Sequence, residues 1–487
     1  MERRRALDKP SYKNHQVHGR ALAEAGHTAE AIAYLRASAA DLGRDDPAGA
    51  AMLLIDAVQP TMLTSGPERA VELAGEAASL ALGTAGIAEL HALTRLGDAF
   101  AWAGDHAQAR EAWKRAAAID AGNEPSVLCE TANALLRAGA LDAARAAAYK
   151  AVVRSRQAES IVDLLDALGM ACNVEVHLGN LREALDCAEQ AVAATDSEPG
   201  VDRIDSYGSI AWVTALLGDV DRAEAAIAEA SGQLIELRIT APGGLAAGML
   251  ALGRGRFQDA VEAFEAKRSD VPISALAQVL SLRPFVPALV EAYARAGRTD
   301  NARALVDQFY EAALQTEQPH IVAPALRARA AAYDDESALD EAMQWHARWG
   351  NRFEEGRTLL ARGERRRRKK QRAAARRDLA AAVQRFMQVG AVTWRARAVA
   401  ELRAAGERSA AIPAPIARGP EALSQQEAAI VELVAEGLSN REIASRLFLS
   451  VKTVEGHLTA VYGKLGIHSR SQLLAALLGG KDDSGPV

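Results

Sequence analysis

A glycine followed five residues later by an alanine recurs along most of this chain, and nothing else in the sequence restricts its folding as much. The pairs are Gly104/Ala109, Gly139/Ala144, Gly179/Ala184, Gly218/Ala223, Gly255/Ala260 and Gly297/Ala302, with successive glycines 35 to 42 residues apart. The segment "LGDAFAWAGDHAQAREAWKRAAAID", residues 96–120, shows the frame in full. Leu96, Gly97 and Phe100 sit at helical spacing, Gly104 breaks the pattern, and Ala109, Trp113 and Ala116 resume it. Glycine lets the break take positive φ. The alanine lets two helices approach closely at their crossing. Each hairpin buries its apolar stripe only against its neighbours, so the predicted result is a stacked array of helix pairs. Residues 14–40, with Gly26, Ala31 and Leu35, predict an earlier unit, and weaker units fall near 47–81 and 324–348.

The unit resembles the tetratricopeptide (TPR) helix-turn-helix repeat, with a longer and looser period. Composition agrees with an all-α chain: 487 residues with only 5% aromatics and 16 prolines, and an abundance of alanine, the residue that costs least in a helix interior. The stacked array is expected to curve into a groove. Two readings of it stay open: a site for a peptide or small ligand, or a spacer and dimer scaffold with no ligand. Cys129, Cys172 and Cys187 form no close pair and read as buried thiols. No apolar segment follows the charged N-terminus and no run approaches eighteen apolar residues, so a cytoplasmic setting and no membrane are expected.

Residues 362–377, "RGERRRRKKQRAAARR", hold ten Lys or Arg against one acid, a net of +9 in a chain whose total is −6. The frame places the run in one more pair: a helix over 352–368, a turn at 369–371 and a helix over 372–390, with Leu359, Leu360, Ala380, Val383 and Phe386 facing inward. A further helix over 393–406 closes the array. Two readings of Arg365, Arg366, Arg367, Arg368, Lys369 and Lys370 stay open: a solvated helix end, or an auxiliary, sequence-blind phosphate patch.

The pattern then stops. Residues 407–420, "ERSAAIPAPIARGP", carry three prolines and no stripe, which predicts a linker. The expected division is an array over 1–406, the linker over 407–420, a second domain over 421–480 and a disordered tail over 481–487. In the second domain, Ser424 with Glu427, Ser439 with Glu442, and Ser469 with Gln472 match the S-x-x-E/Q capping box. Ser450 is a candidate N-cap, and Gly437 and Gly466 end helices. Four helices result. The second and third are joined by "FLS"; Ile443, Leu447 and Leu449 share a core with Val454, Leu458, Val461 and Leu465, and Ala444 is small at the crossing. That is a helix-turn-helix arrangement, whose third helix, 451–465, is free to enter a DNA major groove.

The stretch "GLSNREIASRLFLSVKTVEGHLTAVYGKLGIHSR" resembles the LuxR-type (GerE/NarL-like) DNA-binding domain over about 60 residues. The resemblance implies base reading by Lys452, Glu455, Gly456 and Thr459. It implies backbone contacts from Ser439, Asn440, Ser450, Thr453, His457, Lys464, Ser469 and Arg470, with helix N-termini favouring phosphate. His457 has an equal alternative as a packed structural histidine. Glu455 stands where the family often has a basic residue, so it would accept from a cytosine amino group rather than grip phosphate. Residues 421–478 hold six acids and five Lys or Arg, a net of −1. One such domain should bind DNA weakly, and the resemblance suggests that the fourth helix, with Leu473, Leu474, Leu477 and Leu478, pairs two copies on a pseudo-palindromic site.

The combination resembles the large LuxR-type regulators, which usually carry an ATP-binding module ahead of the array. No G-x-x-x-x-G-K-[ST] occurs here, so the chain is either a shortened relative or begins downstream of that module. No cofactor, metal or enzymatic activity is expected; His15-x-x-His18 lacks any HExxH context, and no G-x-S-x-G is present. The expected fold is a TPR-like helical solenoid followed by a four-helix LuxR-type domain. The expected function is a DNA-reading transcription regulator that senses a ligand or protein partner and contacts RNA polymerase; the alternative is an interaction scaffold with vestigial DNA binding.

Overall fold

The computed structural model describes residues 11–43, 45–84, 86–120, 122–198, 204–231, 242–266, 285–406, 423, 425–447, 449–465, 469–470 and 472–473. The described residues are all-α: 21 helices run from Tyr12–Glu24 to Val392–Ala404, and three follow, Gln425–Ala435, Asn440–Leu447 and Val451–Leu465. No described helix is long and apolar enough to cross a membrane. The expected linker 407–420 and tail 481–487 lie outside the described residues.

The glycine frame forms the turns. At the first complete unit, Gly104 takes φ +84. The Asp105 amide donates to the Phe100 carbonyl at 2.8 Å and the Gly104 amide to Ala101 at 3.0 Å. These are the two bonds of a Schellman turn, which satisfies the last carbonyls of one helix while starting the next. Asp105 then caps the following helix, His106–Ala117, by accepting from the Gln108 amide. The alanine five residues after each glycine is fully buried: Ala31, Ala109, Ala144, Ala184, Ala223, Ala260 and Ala302 all stand at 0% exposure. The weaker units are also formed, as Pro47–Ser65 with Pro67–Ala81 and Pro319–Tyr333 with Glu336–Trp349. Helices Arg352–Arg368 and Arg372–Val389 flank the turn containing Lys370, which takes φ +63. Leu359, Leu360, Val383 and Phe386 are buried as expected; Ala380 is only half-buried, and Leu379 takes the inward place.

The array does more than stack neighbours. Its later turns rest on its earlier ones. Arg110 donates to the Thr316 carbonyl at 2.9 Å, and Gln318 donates to the Arg137 carbonyl at 2.7 Å. Trp349 Nε1 donates to the His177 carbonyl at 2.8 Å, and Asn351 Nδ2 to the Val176 carbonyl at 3.0 Å. Arg397 reaches the Leu252 carbonyl at 3.2 Å. A Cβ on Gly218 would lie 2.4 Å from Thr393 Oγ1, so this turn glycine is needed for inter-turn approach as well as for its φ of +81. One continuous apolar core accordingly runs from Leu128 to Ala405, and a second, smaller one from Leu35 to Trp102. Cys172 and Cys187 are buried and Cys129 half-buried, as a packed helical core requires.

An ionic network lies inside this closure. Glu354 is buried between Arg327 at 2.6 Å and Arg357 at 3.0 Å, and Arg357 also holds Glu291 at 2.8 Å. Burial alone would raise the Glu354 carboxyl; the two guanidinium groups outweigh it and hold it down at about 2. The Arg357 guanidinium lies 4.9 Å from the Trp394 ring centroid.

Candidate nucleic-acid interface

The last three described helices have their own core of Ile430, Val431, Val434, Ile443, Ala444, Leu449, Val454, Leu458, Val461 and Leu473. Leu447 and Leu465 pack at its margin. Local chemistry sets the helix starts. Ser439 and Glu442 form the reciprocal box: the Ser439 amide donates to Glu442 at 2.7 Å, and the Glu442 amide to Ser439 Oγ at 3.3 Å. Ser450 accepts from the Thr453 amide at 3.0 Å, and Ser469 from the Gln472 amide at 3.2 Å. Ser439 draws the Glu442 carboxyl below its ordinary range. Gly437 ends the preceding helix with φ +88. Ser424 and Gly466 lie outside the described residues.

Val454, Leu458 and Val461 anchor one side of Val451–Leu465 in the core. Lys452, Glu455, Gly456 and Thr459 are all exposed, the four expected to read bases. Thr453 is half-buried, and its hydroxyl lies 2.7 Å from that of Ser450. His457 is buried, with Nε2 at 3.7 Å from a Glu189 carboxylate oxygen of the array. Ser439 and Ser450 are exposed at their helix ends. Arg470 is committed inside the domain: it donates to Asn440 Oδ1 at 3.1 Å and to the Leu438 carbonyl. Those two bonds fix the entry to Asn440–Leu447, a packing duty the sequence pattern did not reveal. The Lys464 side chain and Leu474, Leu477 and Leu478 lie outside the described residues, while Leu473 is a core residue.

The domain also touches the array. Gln190 Nε2 donates to Gln426 Oε1 at 3.2 Å. A cavity of about 1030 Å³ lies between the two, walled on one side by helix Leu181–Ser197 and on the other by Ser450, Lys452, Thr453, Gly456, His457 and Ala460. Asp186, Glu189 and His457 each bring a potential ligand atom within 4.8 Å of the others. Acidic groups commonly gather like this without an ion, and the grouping does not require a cation. None of these array residues was singled out by the sequence pattern.

The arginine run is held by acids on neighbouring helices. Arg365 reaches Asp334 at 3.0 Å and also Glu336. Arg366 meets Glu336 at 2.9 Å and Asp378 at 2.8 Å. Arg367 meets Glu401 at 2.6 Å, and Lys369 meets Asp334 at 2.9 Å. The helix end is thus an ion-paired brace rather than a bare cationic face. Of the expected phosphate patch, Arg368 and Lys370 are exposed. Replacing Arg365, Arg366 and Arg367 with Gln is therefore expected to lower stability by about 1–3 kcal/mol, since each paired group contributes up to about 1 kcal/mol. DNA affinity and its salt slope should stay unchanged. Calorimetry and a salt titration check both halves.

Residues 421–477 match the family model described as bacterial regulatory proteins, luxR family (GerE). Over 58 residues the chain is 57% identical to a protein of Mycobacterium tuberculosis named as an HTH-type transcriptional regulator, a match covering 12% of this chain and 7% of that one. Over 58 residues it is 53% identical to a protein of Streptomyces halstedii named as the HTH-type transcriptional regulator GfsR, covering 12% and 24%. The chain spans a quarter or less of the length of these curated relatives. A solved Rap protein complexed with competence and sporulation factor aligns with 80% of this chain and 99% of its own, at 13% identity and a TM-score of 0.40. The capped, Arg470-clamped helices and this match agree: residues 421–477 are a helix-turn-helix domain of the luxR family of bacterial regulatory proteins.

Proposed function

We propose that the protein is a transcription regulator that reads double-stranded DNA through Val451–Leu465 and is controlled through its helical array. The observation that carries this reading is the placement of Lys452, Glu455, Gly456 and Thr459, exposed together on a helix whose opposite side is locked in a core. A helix so presented fits the width of a major groove. The amide ends at Ser439, Ser450 and Ser469 supply donors for phosphates, with Thr453 beside them; the resemblance adds Lys464 as a further backbone contact. A domain of net charge −1 gains little from phosphate neutralisation alone, which favours binding as a homodimer on a pseudo-palindromic site. The array is the sensing part, taking a small ligand or protein partner, and the regulated partner is RNA polymerase. Residues 1–406, 407–420 and 421–480 serve as array, linker and reader.

The test is selection of duplexes from a random pool by the full chain, followed by competition against scrambled duplexes. The selected site should be preferred by about 10³-fold or more. Glu455→Lys should shift the preference at one position of each half-site and leave the rest intact, because a carboxylate accepts from cytosine where lysine donates to guanine. Equal binding of selected and scrambled duplexes would remove the reading.

A further inference from the structure

We infer that the outward face of helix Leu181–Ser197 is a docking surface for this chain's own recognition helix, and that DNA and the array compete for it. The inference rests on the DNA-reading assignment of Val451–Leu465 given above. Arg182, Asp186, Glu189, Ala193 and Asp196 recur every three or four residues, which puts them on one face of the array helix, and all five border the cavity shared with the reader. Across it stand Lys452, Thr453, Gly456 and His457. Asp186, Glu189, Asp196 and Asp219 outnumber Arg182 and Arg222 on the array side by four to two, and Arg222 itself is paired with Glu189 at 2.6 Å. The face turned toward the DNA-reading helix is therefore acidic, as the edge of a duplex is.

Direct contacts join the two faces. Glu189 faces His457 at 3.7 Å. Gln190 donates to Gln426, and Arg156 donates to Gln190 Oε1, which turns the Gln190 side-chain NH2 toward the reader. The geometry excludes DNA. A recognition helix must enter a groove about 8.5 Å deep, so no group can stand within that depth of its reading face. Lys452 and Gly456 of that face border the same cavity as Asp186 and Glu189, so the array helix stands where the edge of a seated duplex would pass. The closure is also weak enough to open. It includes polar contacts, the Gln190–Gln426 amide pair and the His457–Glu189 pair, around a cavity of about 1030 Å³. A state closed most of the time reduces apparent DNA affinity by the fraction that is open. A ligand or partner that moves Leu181–Ser197, or takes its acidic face, would release the reader.

The full chain is compared with Asp186→Lys/Glu189→Lys and with the milder Asp186→Asn/Glu189→Gln. Two readouts are taken: small-angle scattering without DNA, and anisotropy titration with a duplex selected by the double-lysine variant. Thermal melting confirms that both variants stay folded. The expected result is a larger maximum dimension and at least tenfold tighter DNA binding for the lysine variant, with the Asn/Gln variant between it and wild type. Identical scattering and identical affinity in all three proteins overturn the docking surface. A larger dimension with no DNA binding by any protein keeps the surface and removes the DNA-reading assignment on which the competition rests.

Discussion

Acidification from pH 7.5 to pH 5 is expected to destabilise the fold by about 4 kcal/mol, through two buried histidines in the later part of the array. His320 follows Pro319 at the start of Pro319–Tyr333 and lies 5.6 Å, ring to ring, from His177. Burial first, and then the neighbouring His177, push its imidazole down to about 3. His346 lies under Trp349, with Nε2 at 2.8 Å from Thr358 Oγ1. Burial, then Arg327 and Arg357, push it down to about 3 against the opposing pull of Glu354. In the unfolded chain both titrate near 6.5. Between those values the unfolded chain binds protons that the native chain refuses, so stability is present above about 6.5 and is lost as pH falls toward 3. At pH 5 each histidine accounts for about 2 kcal/mol, from roughly 1.5 units at about 1.4 kcal/mol each. His91 and His106 are also lowered by burial and act with the same sign in the N-terminal part of the array. Glu354, held at about 2, begins to lose its contribution only below the ordinary carboxyl value, so work at pH 5 and above isolates the histidines. Urea unfolding at pH 7.5, 6 and 5 measures the effect. His320→Gln should flatten about half of the slope. A midpoint that does not move with pH would show that these rings are not held neutral.

Glu354→Ala is expected to cost about 3–5 kcal/mol, the usual consequence of removing one member of a buried charge cluster. Its carboxylate answers both Arg327 and Arg357, which are 2% exposed. Without it, two guanidinium groups share Glu291, which already faces Arg357 at 2.8 Å and Arg397 at 3.8 Å. The loss should appear as a lower first thermal transition. Because the network lies where Pro319–Tyr333, Arg352–Arg368 and Val392–Ala404 meet, the later turns of the array should loosen before the N-terminal core around Leu53 and Ala74. A combined Arg327→Met/Glu354→Met/Arg357→Leu replacement should recover most of the loss, since an apolar cluster of similar volume avoids the desolvation cost altogether. If Glu354→Ala melts like the wild type, the cluster is wet rather than buried.

The turns, the buried alanines and the serine caps were legible because each is set within a few residues. A glycine at the end of a helix, an alanine five further on, and a serine three before a glutamate all act through the backbone they sit in. Ala380 packs half-buried at the margin of the core, and the fully buried place belongs to Leu379 one residue away, a shift of about 100° around the helix. The arginine run shows where that legibility stops. Its acids are Asp334, Glu336, Asp378 and Glu401, on other helices, and no local rule pairs them. Arg470, which the resemblance assigns to the DNA backbone, is also tied to Asn440 thirty residues away, a bond no local rule sets.

The sequence by itself determined the repeated helical hairpin and the capped helix-turn-helix, because local backbone chemistry and side-chain periodicity are written residue by residue. Tertiary structure alone decided that the array closes on itself, from Arg110 against Thr316 to Asn351 against Val176, and that Glu189 and Gln190 meet the reader. Those contacts join residues separated by well over a hundred positions. Their existence depends on the summed rotation of many stacked pairs, a small angle per repeat that no single repeat carries.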